Sequence, residues 1–253
     1  MNKLQIKGLT IGEGSPKIIV PLVSTTKEEL LKEAQVVKEL KPDVVEWRVD
    51  LYENVENLES VKDMISALRS VYVEELILFT FRSHKEGGSK VITDEFYVQL
   101  NQAAIRTDQI ELVDVELFNE KEIVEAILDC AKEHGVYVIM SNHDFEKTPE
   151  KEEIVSRLRK MQEYGADIPK IAVMPKSVDD VITLLDATHT MKSQYADCPL
   201  ITMSMGGTGV VSRLAGEVFG SAFTFGAGKE ASAPGQIPVA ELRKVLEILH
   251  GSM

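Results

Sequence analysis

A lysine inside an apolar stretch is the first candidate for chemistry. The segment from Ile168 to Pro175 reads IPKIAVMP, and Lys170 is its one charged residue. The stretch has strand length and is apolar on both faces, as is typical of a parallel strand buried on both sides. Burial among apolar side chains lowers the pKa of an amine, and a neutral amine can attack a carbonyl. Lys170 is therefore a candidate nucleophile; the alternative is a lysine whose stem carries its charge out to solvent.

A histidine after a second apolar run is the candidate proton-transfer group. His143 follows Val136–Ser141, and the ordinary pKa of an imidazole suits a general acid and base. The alternative is that His143 is a loop histidine that only forms a hydrogen bond. Among the other histidines, His84 is the one competing candidate for the catalytic role. Glu86 is the candidate to hold the imidazole of His143 in one orientation, as the acid does in a catalytic triad. Asp114 is a weaker candidate for such a supporting role.

A glutamate and an arginine two residues apart suit the binding of a polyol. Glu46 and Arg48 share one face of a predicted strand, while Trp47 faces the other way, toward the helices. The carboxylate accepts from hydroxyl groups, and the guanidinium donates to them. Arg82, at the end of the next strand, could complete the same polar pocket. The alternative for Glu46 and Arg48 is a buried structural ion pair.

Arginine and glycine near the end of the chain indicate an anion site. Arg213 follows the glycine-rich turn 206–209, and bidentate pairing with a guanidinium suits a carboxylate or a phosphate. Glycine turns at these positions hold phosphate in many barrels, although glycine pairs are common and specify little. The last loop carries Ser232 and Gln236 among small residues, and we expect it to act as a lid.

Composition limits the class of protein that can carry these residues. The chain has 253 residues, 44 % hydrophobic residues and a formal net charge of −13, which argues against a nucleic-acid partner. No apolar run reaches about 18 residues, so we expect no membrane span. Cys130 and Cys198 lack a CxxC spacing or a histidine-rich neighbour, which fits a reduced cytosol and no structural metal site.

Strands and helices alternate along the whole chain. A small β-hairpin is predicted at the N-terminus, within residues 1–16. Eight apolar strands are predicted after it, at 17–23, 43–49, 75–81, 111–115, 136–141, 170–174, 199–203 and 221–225. Helices are predicted between and after them, at 26–40, 55–71, 93–106, 119–134, from Thr148-Pro149, from Ser177, 210–219 and 238–249.

This pattern predicts an α/β fold, a (β/α)8 TIM barrel formed by a single domain over residues 1–253. Alternating β and α elements give a parallel sheet, and eight units in about 250 residues close into a barrel. An open sheet would favour a G-x-G-x-x-G turn after the first strand, and residues 21–25 have none. Because barrel enzymes carry their chemistry at the carboxyl ends of the strands, the candidates above should meet there.

Six motifs, in order, resemble the type I 3-dehydroquinate dehydratase family over essentially the whole chain. The motifs are EWRVD at 46–50, TFR at 80–82, SNHDF at 141–145, KIA at 170–172, SMG at 204–206 and SAPGQ at 232–236. The resemblance implies a barrel lyase of the shikimate pathway, which leads to chorismate and the aromatic amino acids. It also implies a cytoplasmic homodimer that needs no metal or organic cofactor.

The resemblance assigns roles to residues that match the motifs. Lys170 would form the Schiff base with 3-dehydroquinate, and His143 would transfer protons with Glu86 as its orienting partner. The substrate would be bound by Glu46, Arg48, Arg82, Arg213, Ser232 and Gln236. Some family members have a ligand-facing serine in the first strand; here that strand reads VPLV at 20–23, and no residue is assigned there.

Two other functions remain open at this point. A class I aldolase acting on a sugar phosphate would also use Lys170 and the glycine turns, but it makes less use of Arg213 and the Glu46–Arg48 pair. A non-catalytic barrel that binds a small polyol acid would need no nucleophile. Trapping with borohydride separates these possibilities.

Overall fold

The computed structural model describes residues 3–228 and 233–253 of the chain. Within these ranges the strands are β1 (Leu4–Ile6), β2 (Leu9–Ile11), β3 (Lys17–Leu22), β4 (Val44–Arg48), β5 (Leu76–Thr80), β6 (Leu112–Glu116), β7 (Tyr137–Asp144), β8 (Ile168–Val173), β9 (Ile201–Ser204), β10 (Phe223–Ala227) and β11 (Ile237–Pro238). The α-helices there are α1 (Lys27–Glu39), α2 (Leu58–Val71), α3 (Asp94–Ile105), α4 (Lys121–His134), α5 (Lys151–Glu163), α6 (Val178–Thr190), α7 (Val210–Leu214), α8 (Gly216–Phe219) and α9 (Val239–His250).

Strands β3 to β10 form the barrel. They run parallel in the spatial order β10-β3-β4-β5-β6-β7-β8-β9. A parallel bridge between Leu200 and Ser221 joins β9 to β10, and the Ala222 N–H donates to the Leu200 carbonyl at 2.8 Å. The (β/α)8 prediction is thereby confirmed.

Each strand separates an outer apolar layer from an inner one. On β8, Ile171 and Val173 belong to the cluster packed under the helices, whereas Ile168 and Ala172 belong to the inner cluster. Because side chains alternate along a strand, Lys170 lies on the inner face with Ile168 and Ala172. Trp47 packs in the outer cluster, as the sequence predicts.

The N-terminal hairpin packs against the apolar interior of the barrel. β1 and β2 pair antiparallel, and the turn residues Lys7 and Gly8 have φ values of 45° and 82°. Two positive φ values are typical of a type I′ turn, which glycine favours. Ile6 and Ile11 belong to the inner cluster, together with strand residues such as Ile19. The predicted hairpin is confirmed.

Most predicted helices are confirmed, but one start is wrong. We expected Thr148-Pro149 to open a helix, whereas α5 begins at Lys151 after the N-cap residue Glu150. The Thr148 hydroxyl donates to the Met174 carbonyl at 3.2 Å and so caps no helix. By contrast, the capping box of Ser177 and Asp180 is present at the start of α6.

Other element boundaries differ by a few residues. β7 continues past the predicted end at Ser141 to Asp144, so His143 lies on a strand rather than after one. The helix predicted at 210–219 is divided at Ala215 into α7 and α8. A short strand, β11, pairs with the end of β10 and was not predicted. Of the helices described, none is both long and apolar enough for a membrane span.

Candidate active site

A cavity of about 130 Å³, open to solvent, lies at the carboxyl ends of the barrel strands. Of the nine predicted site residues, eight line it: Glu46, Arg48, Arg82, Glu86, His143, Lys170, Arg213 and Gln236. Ser232 lies outside the described residues. Apolar side chains from later strands and loops complete the wall: Phe145, Ala172, Met203, Met205 and Phe225.

Lys170 points into the barrel. Its side chain is 3 % exposed, which is incompatible with the alternative of a lysine reaching out to solvent. Its Nζ lies 3.4 Å from Oδ2 of Asp114 and 4.7 Å from the ring centroid of Phe225. The amine therefore contacts a buried carboxylate as well as an aromatic face, whereas the sequence predicted apolar surroundings alone.

His143 is held by Glu86. Oε2 of Glu86 lies 2.9 Å from Nδ1 of His143 and also accepts from the backbone N–H of His143 at 3.0 Å. When Nδ1 carries the proton that Glu86 accepts, the lone pair of Nε2 is free to act as a base. The ring of Phe145 stacks on the imidazole, with 6.4 Å between centroids and 18° between planes. His84 does not line the cavity; its Nδ1 lies 3.3 Å from the Gly88 carbonyl oxygen.

The imidazole is kept neutral by its surroundings. Burial lowers the pKa of His143 well below its ordinary value, and the positive charges of Arg82, Lys170 and Arg48 lower it further. A neutral imidazole is the form that can remove a proton from carbon.

The carboxyl group of Glu86 is buried among hydrogen-bond donors. Burial raises the pKa of Glu86 to about 8, while the Arg82 guanidinium and the amide of Asn142 oppose that rise. The Asn142 Nδ2 donates to Oε1 of Glu86 at 3.1 Å. The other end of that amide, Oδ1, accepts from Nη1 of Arg157 at 2.9 Å, which fixes the orientation of the amide.

The loop that carries Glu86, residues 82–90, follows β5 and is folded back on itself. The Gly88 N–H donates to the Ser83 carbonyl at 2.8 Å, and Ser83 and Lys90 form a parallel bridge. A Cβ at Gly88 would lie 1.8 Å from the carbonyl oxygen of Arg82, so only glycine fits. We call this segment the Glu86 loop.

Glu46 and Arg48 both line the cavity, but they do not form the ion pair that was the alternative interpretation. Arg48 instead forms a two-point pair with Asp50, at 2.8 Å from Nε to Oδ1 and 2.9 Å from Nη2 to Oδ2. Glu46 accepts from the Thr80 hydroxyl at 3.0 Å. Asp50 is fully buried and also accepts from the backbone N–H of Arg82 at 3.3 Å.

Arg82 is buried and surrounded by carboxylates. Its Nη2 lies 2.8 Å from Oδ1 of Asp114, and its Nη1 lies 2.7 Å from Oε1 of Glu116 and 3.6 Å from Oε2 of Glu86. Asp114 and Glu116 raise the pKa of Arg82 against the opposing effect of burial. Both terminal nitrogens of the guanidinium are thus already paired with carboxylates.

Arg213 is also a buried cation, but unlike Arg82 its described contacts are a backbone carbonyl and a sulfur atom and not carboxylates. It is 2 % exposed, and Nη2 donates to the Pro234 carbonyl at 3.0 Å, while Nη1 lies 3.7 Å from Sδ of Met203. Its Nε has no hydrogen-bond partner within the described ranges. Burial alone lowers the pKa of Arg213 to about 10. A buried donor without an acceptor can accommodate an anionic ligand.

Three residues important to this arrangement were not given site roles by the sequence. Asp50 and Glu116 stand at strand ends, and alternation with apolar residues is their visible signal: Asp50 follows Glu46 and Arg48 at the end of β4, and Glu116 follows Asp114 on β6. Asn142 adjoins His143, but nothing local shows that its amide bridges Arg157 and Glu86. In the described ranges, no group of three or more His, Cys, Asp or Glu residues is placed to hold a metal ion.

The sequence matches known proteins along its full length. The sequence model of the type I 3-dehydroquinase family matches residues 18–253. A 3-dehydroquinate dehydratase of Bacillus velezensis is 62 % identical over 253 residues, which is 100 % of both chains. The chain belongs to the type I 3-dehydroquinase family. It is accordingly a lyase of the hydro-lyase class.

Other relatives support the family. A 3-dehydroquinate dehydratase of Bacillus subtilis is 60 % identical over 250 residues, covering 99 % of this chain and 98 % of its own. Among solved structures, the type I 3-dehydroquinate dehydratase of Clostridium difficile superposes with a TM-score of 0.97 at 54 % identity. That match covers 100 % of this chain and 99 % of the other, which carries covalently modified comenic acid.

Proposed function

We propose that this type I 3-dehydroquinase removes water from 3-dehydroquinate to give 3-dehydroshikimate, a step of the shikimate pathway to aromatic amino acids. The observation that carries the proposal is the shared cavity of Lys170 and His143, with Glu86 behind the imidazole. An amine that can bond to a ketone and an imidazole that can move protons are the two groups this elimination requires.

Binding would place the two ends of the substrate on different residues. The ring carboxylate pairs with Arg213, whose Nε is unpartnered in the described ranges. Ring hydroxyls bond to Glu46 and Arg48, which line the cavity next to each other along one strand face. Arg82 would contact a ring hydroxyl while its guanidinium stays paired with Asp114 and Glu116.

The last loop, which ends at Gln236, would close over the bound substrate. Gln236 lines the cavity beside Ala233, and the Pro234 carbonyl accepts from Arg213. We propose that Ser232 and Gln236 cover the bound substrate from this loop, as the resemblance implies. Because Arg213 donates a hydrogen bond to this loop at Pro234, a substrate carboxylate bound to Arg213 would lie close to the loop residues that cover the substrate.

The first chemical stage would be imine formation. The neutral amine of Lys170 attacks C3 of the ring ketone and gives a carbinolamine. The former ketone oxygen leaves as water after gaining one proton from the amine and one from an acid. The product is an iminium ion, a stronger electron sink than the ketone, and it acidifies the neighbouring C2–H.

The second stage would be the elimination itself. His143 removes the C2 proton, and the electron pair moves to nitrogen to form an enamine. The enamine then expels the C1 hydroxyl, which leaves as water with the proton from His143. Water hydrolyses the resulting imine and frees Lys170. One imidazole serves both transfers if the two protons are on the same side of the ring.

Borohydride trapping with mass spectrometry tests the proposal. Reduction in the presence of 3-dehydroquinate should leave a covalent adduct on the peptide that contains Lys170. Lys170→Ala should lose both adduct and turnover, and circular dichroism should show a retained fold, because Arg82 still compensates Asp114. An adduct formed only with sugar phosphates would favour an aldolase, and no adduct with any carbonyl would favour a binding protein.

We further propose a cytoplasmic homodimer. The free thiols of Cys130 and Cys198 are compatible with a reducing compartment, and the resemblance to the family suggests the dimer. Sedimentation velocity of the purified chain measures the assembly directly: a monomer at micromolar concentration would exclude the dimer.

A further inference from the structure

Asp114 is the carboxylate that contacts the reacting nitrogen. It is completely buried on β6, and its Oδ2 lies 3.4 Å from Nζ of Lys170. Its other oxygen, Oδ1, accepts from the Ser141 hydroxyl at 2.7 Å and pairs with Nη2 of Arg82 at 2.8 Å. Oδ1 is thus held on two sides, which leaves Oδ2 aimed at the amine.

The charge state of Asp114 suits a fixed anion. The carboxylate is buried, and burial on its own would raise its pKa. The charges of Arg82 and Lys170 and the hydrogen bond from Ser141 outweigh that effect, and the pKa of Asp114 is lowered. A carboxylate of this kind stays ionised and is a poor proton carrier.

Several charged groups belong to the site around the nitrogen, but they stand in different positions. Those that line the cavity are Glu46 and Arg48 on β4, Arg82 and Glu86 after β5, His143 on β7, and Arg213 on α7, whereas Asp114 and Glu116 lie buried on β6. Of these, Asp114 makes the one ion pair with Lys170 found in the described ranges. Glu86 instead bonds to His143, and Glu116 bonds to Arg82.

We propose that Asp114 is the counter-ion of the iminium formed on Lys170, and that it stabilises the positive charge which makes the elimination possible. This inference rests on the proposed function. In imine formation, the amine Nζ brings two hydrogens. One leaves with the ketone oxygen as water, together with a proton from the acid, and the other remains on the positively charged nitrogen. That remaining N–H faces Oδ2 of Asp114.

The electrostatic consequence is specific to charged intermediates. An anion next to the nitrogen keeps the iminium protonated and therefore active as an electron sink. Once the electron pair reaches nitrogen, the enamine is neutral and the anion no longer stabilises it. Asp114 should therefore affect kcat and the alkaline side of its pH profile more than it affects substrate binding.

Two variants with the same change of charge test the proposal. Asp114→Asn removes the anion that faces Lys170, whereas Glu116→Gln removes the other close carboxylate of Arg82 without touching Lys170. Asp114→Asn should lower kcat about 10²-fold, a size typical of losing one preorganised electrostatic group. It should also move the alkaline limb of the kcat profile to lower pH by about 1 unit or more. Glu116→Gln should leave that limb in place.

The opposite result is equally clear. If the two variants lose the same fraction of kcat and keep the same alkaline limb, Asp114 acts only by holding Arg82, and the proposal is wrong. If Asp114→Asn does not fold, Ser141→Ala provides the second test. It keeps the carboxylate but removes the 2.7 Å bond that orients it, together with the 3.0 Å bond that the Ser141 hydroxyl accepts from Arg82. The deciding readout is therefore the alkaline limb of the kcat profile, which should move to lower pH; an unchanged limb overturns the proposal.

Trapping of the unmodified enzyme keeps this inference separate from the proposed function. Without a borohydride adduct on Lys170 in the wild-type chain, the proposed function fails as a whole. With that adduct present, equal behaviour of the Asp114 and Glu116 variants overturns the counter-ion alone.

Discussion

The two ends of the barrel interior are built from the same strands and have opposite chemistry. The inner face of β8 begins with Ile168 in the apolar cluster and continues to Lys170, two residues later. The inner face of β6 begins with Leu112 and continues to Asp114. One end is closed by the apolar hairpin, and the other contains buried charges and a cavity.

This contrast divides stability from chemistry. The apolar end supplies burial of hydrophobic surface, which is the main favourable term in folding. The charged end contains close ion pairs whose desolvation opposes folding, and such pairs add little net stability. We therefore expect changes at the charged end to act mainly on catalysis and changes at the apolar end to act mainly on stability.

The largest effect is expected for His143→Ala at the charged end. Loss of a general acid and base should lower kcat about 10³-fold, while the Lys170 adduct still forms and is trapped by borohydride. Steady-state kinetics and mass spectrometry measure the two effects, with His189→Ala as an exposed control. Normal turnover in His143→Ala would rule out this residue as the proton carrier.

Ile11→Ala should produce the reverse pattern at the apolar end. Ile11 is fully buried in the inner cluster, so truncation should cost about 2–4 kcal/mol of unfolding free energy, with kcat unchanged. Urea denaturation measures the loss, and Ile248→Ala, at 67 % exposure, is the control. A fall in kcat without a loss of stability would break the division between the two ends.

Arg213→Ala should have a smaller, selective effect. Removal of a buried guanidinium that binds the substrate carboxylate should raise KM about 10- to 100-fold with a modest change in kcat. Arg213→Lys keeps the charge without the two-point geometry and should recover part of the affinity. If KM is unchanged in the alanine variant, the carboxylate binds elsewhere.

The smallest effect concerns the protonation of His143. Because the pKa of His143 is lowered, its neutral base form persists as pH falls below 6.5, the ordinary value. Followed by NMR as a function of pH, the imidazole should therefore stay neutral as pH falls through 6.5 and gain a proton only at lower pH, a readout that does not depend on the amine of Lys170, which must also be neutral in the free enzyme. A midpoint at or above 6.5 would mean that burial and the neighbouring cations do not govern this imidazole.

How much the sequence could predict follows from the range of each interaction. Alternation along a strand and alternation of elements along the chain are local patterns. The first placed Glu46 on an inner face, and the second placed the site at the carboxyl ends of the barrel strands. The pairing of Arg48 with Asp50 was not predicted, because the pattern offered Glu46 as an equally good partner. The bridge from Arg157 through Asn142 to Glu86 joins three separate elements, and no local pattern encodes that register.

The helix start at Thr148-Pro149 failed for a related reason. A threonine before a proline has the composition of a cap, but its hydroxyl found an acceptor at Met174, which is distant in sequence. Tertiary contacts decided the boundary there, as they decided the continuation of β7 through His143.

The Glu86 loop is ordered before the substrate binds. Gly88 lets this segment press against the Arg82 carbonyl, and Glu86 already bonds to His143 with the cavity open to solvent. The conformational entropy of ordering this loop is lost once, when the chain folds, and not each time a substrate arrives. The imidazole of His143 is thus already oriented by Glu86 before a substrate binds.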